Sequence, residues 1–278
     1  PTKTDGRSVA LKQMIDTFQT QNSNVKITVE PQDWEAMTPK FFAAHSAGTA
    51  PDVIWVLQDE MGGALKLNAL EPFENLFLKN WTKEDIADID DAFWSFGSRD
   101  GKHYQISLSR NYIALYYRAD LFEANKIEEP KTWAEFIEAA KKLTGKDEKT
   151  GIMRYGFGQA FNVDKVDAQV MTNHLLAAQG TLFTADGKAN WSNKAAQDAL
   201  QFQIDCIKKY GITPESAIAT TGEELFVDFC AGKYAMITGG AVRVPKNKAD
   251  ATFDPDAVQI MLFPGVDANT PSPAVVTG

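Results

Sequence analysis

Apolar residues recur at helical spacing near the start of the chain. Leu11, Met14, Ile15 and Phe18 share one face and predict a helix over residues 8–21. Residues 25–29, Val25-Lys26-Ile27-Thr28-Val29, alternate apolar and polar side chains with the period of a half-buried strand. Thr38-Pro39 reads as an N-cap followed by proline at the first helical position, opening a helix over 40–46. The apolar run Val53-Ile54-Trp55-Val56-Leu57 then predicts a core strand. It stops at three hydrogen-bonding side chains, Gln58, Asp59 and Glu60, ahead of a helix over 62–68. Helices and strands alternating over short joints predict an α/β fold with a parallel sheet covered on both faces.

The pattern continues downstream. Residues 106–117 form a partly apolar extended stretch, interrupted by Arg110 and Asn111. Thr132 and Glu135 have capping-box spacing, and Trp133, Phe136, Ile137, Ala140 and Leu143 continue as an apolar face. Ser192 is placed to cap a helix over 194–210. Thr221 and Glu224 form a second capping box before Leu225, Phe226 and Phe229. Strands are expected at 234–237 and 258–263. Residues 274–277 read as a strand entering a turn, so the sheet is expected to continue past the end of the sequence. No repeat and no Pro/Ser/Gly-rich linker interrupts the chain, so two lobes would be joined by extended strands.

With 278 residues the chain is comfortable for two cores. Its net charge of −9 argues against nucleic acid, which needs a basic surface. No apolar run approaches the roughly 18 residues of a membrane span, and no signal peptide opens the chain. Cys206 and Cys230 are compatible with two buried thiols or one disulfide. His45, His103 and His174 are scattered without metal-ligand spacing. Gly156-Phe157-Gly158 lacks the third glycine of a dinucleotide loop, and neither a P-loop nor a nucleophile elbow is present. The acidic run 85–91 lacks the glycine of a calcium loop. No catalytic residue, metal site or cofactor is expected.

Several segments then line up with one family. "AGTAPDVIWV" followed by "QDEMGG", "GKHYQI", "ALYYRADLF" with "EEPKTWAEFIEAAKKLT", and "ELFVDFCAGKYAMITGG" with "LFPG" occur in order across residues 8–265. They resemble the extracellular solute-binding proteins of bacterial ABC transporters, the family 1 group that includes maltose-binding protein. The resemblance implies a two-lobed fold, each lobe a mostly parallel sheet flanked by helices, joined by hinge strands. Residues 1–109 with 264–278 would form one lobe and 113–258 the other, with crossings near 110–112 and 259–263. It implies a strand before Pro1 and helices after Gly278, so the chain is expected to be incomplete at both ends. It further implies a monomer, periplasmic or lipid-anchored at the cell surface. Such a protein would capture a mono- or short oligosaccharide and deliver it to permease subunits, without catalysis. A polyol, an acidic sugar or a phosphorylated solute is the alternative ligand, and a secreted two-lobed carbohydrate-active enzyme the alternative activity.

Candidate ligand residues follow. Ligands of open α/β sheets sit beyond the carboxyl ends of strands, where Gln58, Asp59 and Glu60 leave the 53–57 run. A carboxylate accepts two hydroxyls at once, which suits vicinal diols. The resemblance puts Asp59 on a sugar-binding carboxylate, and puts acidic Glu60 where the maltose-binding member is basic. Trp34 is a candidate stacking platform, whereas Trp55 and Trp133 are expected in the core. Arg110 and Asn111 interrupt the first crossover and are expected to face ligand. Gln159, Phe161 and Asn162 fall on the family's aromatic and polar wall. Gly239 and Gly240 allow close backbone approach where a stacking tryptophan is lost near Ala241, and Arg243 could supply charge. A short ligand is expected rather than a long glucan.

Overall fold

The computed structural model describes residues 6–32, 36–56, 60–107, 111–148, 150–162, 165–270 and 275–277. The chain divides into two units, residues 1–107 and 108–278. No helix among the described residues is long and apolar enough to cross a membrane.

The first unit carries α1 (Gly6–Gln21), α2 (Met37–Ser46), α3 (Met61–Lys66), α4 (Phe73–Leu76), α5 (Lys83–Ala87), α6 (Asp91–Phe96) and a short hairpin of β1 (Ser98–Arg99) and β2 (Lys102–His103). Phe41, Val56, Met61 and Ala64 form its buried cluster, with Phe42, Ile54, Leu65 and Tyr104 packed around them. A second focus is aromatic: Trp94 donates its ring N–H to the Ile86 carbonyl and lies edge-on to His103. His103 in turn meets Glu74 at 2.7 Å through Nδ1. Burial alone would raise the Glu74 carboxyl, but the hydrogen bonds from His103 outweigh it and hold it below its ordinary value.

Three expectations for this unit are corrected. Residues 25–29 and 53–56 join no ladder, and the hairpin is the sheet among the unit's described residues. Alternation supplies propensity for a strand but not the neighbouring edge that completes its hydrogen bonds. Val56 is buried, yet Val53 is 87% exposed and Trp55 50% exposed, so Trp55 is not a core residue. Thr38 does not cap: α2 begins at Met37, and the Thr38 hydroxyl donates to the Glu60 carboxylate instead.

The second unit contains β3 (Asn111–Arg118), α7 (Ala119–Ala124), α8 (Trp133–Leu143), β4 (Gly145–Lys146), β5 (Met153–Gly158), α9 (Lys165–Ala177), α10 (Lys194–Lys208), α11 (Gly222–Cys230), β6 (Tyr234–Gly240), α12 (Val244–Asp250), β7 (Val258–Met261) and β8 (Val275–Thr277). Its sheet runs β4-β5-β6-β3-β7, with β8 beside the start of β3. Strand alternation sorts side chains to two buried faces. Leu115, Phe157 and Met236 join Trp133, Phe136, Phe202 and Phe263 on one. Tyr116, Ile237 and Val258 join Leu225, Phe226 and Phe229 on the other. Cys206 belongs to the first cluster and Cys230 to the second, and both are free thiols.

The architecture is α/β, with helices flanking a sheet, but the sheet is not mostly parallel. β5 and β6 are parallel, while β3 pairs antiparallel with β6, β7 and β8. The capping boxes at Thr132 and Thr221 form as spaced. The cap of α10 is Asn193 rather than Ser192: its side-chain oxygen accepts from the Ala196 N–H at 2.9 Å, and the helix ends at Lys208. Residues 264–270 and 275–277 group with this unit. Trp133 donates its backbone N–H to Gly265, Val266 donates to Ala177, and β8 pairs with residues 111–113 of β3.

Candidate functional site

The parallel register sets Gly158 against Ile237, so β5 and β6 end side by side. Antiparallel β3 begins at that same end, where Ile113 faces Gly240. Three segments therefore converge there: the start of β3, the loop after β5, and the glycines and turn after β6. The carboxyl ends of parallel strands are where open sheets leave unpaired polar backbone and room for a ligand. Seven of the sequence candidates lie on these segments: Asn111, Gln159, Phe161, Asn162, Gly239, Gly240 and Arg243.

The turn after β6 is held from several sides. The Tyr116 hydroxyl donates to the Gly240 carbonyl at 2.6 Å. Burial pushes the Tyr116 phenol well above its ordinary value, so it stays a protonated donor. The Asn111 side-chain oxygen accepts from the Val242 N–H at 3.2 Å. A Cβ on Gly240 would stand 2.5 Å from the Asn111 amide nitrogen, and one on Gly239 would stand 2.3 Å from the Phe226 ring. Packing within this unit therefore favours glycine here, most strongly at Gly239 against the Phe226 ring, a reason that does not involve a ligand.

Arg243 is not a free cation. Its two terminal nitrogens donate to the two carboxylate oxygens of Glu223, Nη2 to Oε2 at 2.9 Å. Its guanidinium carbon lies 4.1 Å from the centroid of the Phe226 ring. Phe226 is itself buried and packs edge-on to Tyr116. The Arg243 Nε is enclosed with no hydrogen-bond partner among the described residues.

The loop after β5 is pinned to residues 217–220. Phe161 donates its N–H to Ala217, and Asn162 donates its N–H to Thr220 and its side-chain amide to Ala219. Phe161 is half-buried and Asn162 exposed. Gln159 is only 1% exposed, and its amide has no hydrogen-bond partner among the described residues. The Cys206 thiol lies beside it, pushed by burial up to about 12. Thr238, the neighbour on β6, is buried with an unpartnered hydroxyl as well.

The first unit is less informative for the site. Its Trp34, Gln58 and Asp59 lie outside the described residues, as does Arg110 of the second unit. Glu60 is half-buried at the start of α3, where its carboxylate accepts from Thr38. Among the described residues no group of three His, Cys, Asp or Glu side chains could hold a metal ion. Sequence reasoning missed Glu223, Phe226 and Tyr116. The first two look like helix N-terminus and core, and nothing near them in sequence points to Arg243.

Residues 13–278 match a family model described as bacterial extracellular solute-binding protein. Among curated proteins, an uncharacterized lipoprotein of Streptomyces antibioticus is 23% identical over 242 residues, 83% of this chain and 50% of that protein. The chain spans about half the length of the curated relatives it matches. An ABC-transporter solute-binding protein of Thermotoga lettingae, solved bound with alpha-D-tagatose, superposes with a TM-score of 0.79 at 26% identity. It covers 96% of this chain and 67% of that one. The GacH receptor of Streptomyces glaucescens superposes with a TM-score of 0.80 at 20% identity, over 100% of this chain and 68% of its own, a likeness of fold.

Proposed function

This chain belongs to the bacterial extracellular solute-binding proteins, and from that membership we propose that it is the solute-capturing component of an ABC importer. It binds a carbohydrate or polyol of mono- to short-oligosaccharide size and performs no chemistry on it. The observation that carries the reading is the convergence of Asn111, Phe161, Asn162 and the 239–243 turn at the carboxyl ends of β5 and β6. Amide and backbone groups there are already oriented, which lowers the ordering cost of binding a hydroxylated solute. The tagatose held by the Thermotoga lettingae protein supports the ligand size.

In this reading solute binding favours a closed arrangement of the chain, because contacts made only there shift the population toward it. The protein works as a monomer and hands its solute to membrane permease subunits. It resides in the periplasm or is lipid-anchored at the cell surface, and the lipoprotein relative supports the anchor. Calorimetric titration with D-tagatose, ribitol, D-mannitol, maltose and maltotriose tests the reading. A short member is expected to bind and to reduce the radius of gyration in solution scattering. No binding at about 1 mM by any member, or tightest binding to the longest oligomer, would overturn it.

A further inference from the structure

We propose that Glu223 sets the charge selectivity of this site: by occupying the fork of Arg243 it makes the end of β6 accept neutral polyhydroxylated solutes and reject their anionic counterparts. The inference rests on the capture reading and adds a specificity-determining residue to it.

Arg243 is built into its position. Phe226 supports the guanidinium from one face, and Glu223 takes both terminal nitrogens. The Tyr116–Gly240 and Asn111–Val242 hydrogen bonds hold the turn that carries it. An arginine fixed in this way, with its fork open, would be a receptor for a carboxylate or phosphate, which it binds through two parallel hydrogen bonds. The fork is closed instead. A ligand carboxylate would have to displace one already tethered to the same chain, and tethering gives Glu223 a high effective concentration. The displaced group would then remain nearby as a like charge. A sugar hydroxyl meets neither obstacle, because the pair as a whole is neutral. Glu223 is also not needed for packing: its side chain is 72% exposed, against 22% for Arg243.

The test compares matched neutral and acidic probes on the full chain: D-glucose with D-glucuronate, D-galactose with D-galacturonate, and D-mannitol with D-mannonate. Wild type is expected to prefer the neutral member of the pair it binds by about tenfold or more. Glu223→Gln leaves the Arg243 charge uncompensated and is expected to shift that ratio toward the acid by about tenfold, less at high salt. Glu223→Asp keeps the charge and is expected to keep the preference. Thermal unfolding of each variant separates this effect from loss of fold. A wild type that prefers the acid, or a ratio unchanged in Glu223→Gln, overturns the inference while leaving capture standing. No binding of any probe, by wild type or variants, sinks capture and the inference together.

Discussion

Gly239→Ala tests the packing behind the site. The added Cβ would lie 2.3 Å from Phe226 Cζ and 2.6 Å from Cε1. Carbon atoms rest about 3.5–4.0 Å apart, so the ring would have to retreat by about 1.2 Å or more. It has little room to do so. Phe226 is buried, stands edge-on to Tyr116 with centroids 6.0 Å apart, and carries the Arg243 guanidinium on its face. Overpacking a filled site costs roughly 1–3 kcal/mol, and this geometry belongs at the upper end. Alanine offsets about 0.5–1 kcal/mol by restricting the unfolded chain, since Gly239 does not use a left-handed conformation. The net loss is about 2 kcal/mol, which in a domain of this size lowers Tm by about 4–8 °C. Thermal melts followed by circular dichroism read it directly. Phe226→Leu in the same background frees space, so the double variant is expected to be more stable than the summed single losses by about 1 kcal/mol. A Gly239→Ala melt within about 2 °C of wild type, or strict additivity with Phe226→Leu, would refute the reasoning.

Asn111→Ala removes the acceptor of the Val242 N–H and is expected to weaken solute binding by about 0.5–1.5 kcal/mol in calorimetry; equal affinity would remove Asn111 from the site. Asp59→Ala is expected to cost about 1.5–3 kcal/mol of binding, the range for hydrogen bonds to a charged group, with little change in Tm. A large stability loss at unchanged affinity would make Asp59 a helix cap instead. His174 gives a pH prediction. Burial pushes its pKa down to about 3, and the neutral ring meets the Gln203 amide through Nδ1 at 3.1 Å. An unfolded histidine titrates near about 6.5, so between these values the unfolded chain binds a proton that the folded chain does not. The His174 contribution to stability therefore falls as pH drops from about 6.5 toward about 3 and levels off below. Urea unfolding across this window should show that slope in wild type and a shallower one in His174→Phe; identical slopes would refute it.

The features legible in the sequence are those whose partners lie close in the chain. Thr132 with Glu135 and Thr221 with Glu224 are three residues apart, and both capping boxes form. The apolar faces of α8 and α11 follow from helical spacing alone, and the ordered motif segments pointed to the family that residues 13–278 match. The misreadings have distant or competing partners. Thr38 has a cap's position but bonds to Glu60, 22 residues away. Ser192 and Asn193 can both cap, and only the backbone path selects Asn193. The alternation over 25–29 carries strand propensity without specifying an edge to pair with.

The candidate site divides in the same way. Asn111 was singled out because polar residues interrupt an apolar run, whereas the wall after β5 and the 239–243 turn were singled out from the resemblance to the family. Gly239 and Gly240, read as allowing close backbone approach, also make room for Phe226 and Asn111. Arg243 looked like an available charge and is neutralised by Glu223. The sequence by itself determined the amphipathic helices α8, α10 and α11, the capping boxes at Thr132 and Thr221 and the positions where polarity breaks through, because those depend on dihedral preference and side-chain spacing within a few residues. Strand direction, the burial of Gln159 and the pairing of Arg243 with Glu223 were decided only in the tertiary structure. Each depends on which surfaces the folded sheet brings within a few ångströms of each other, and no local preference along the chain encodes that proximity.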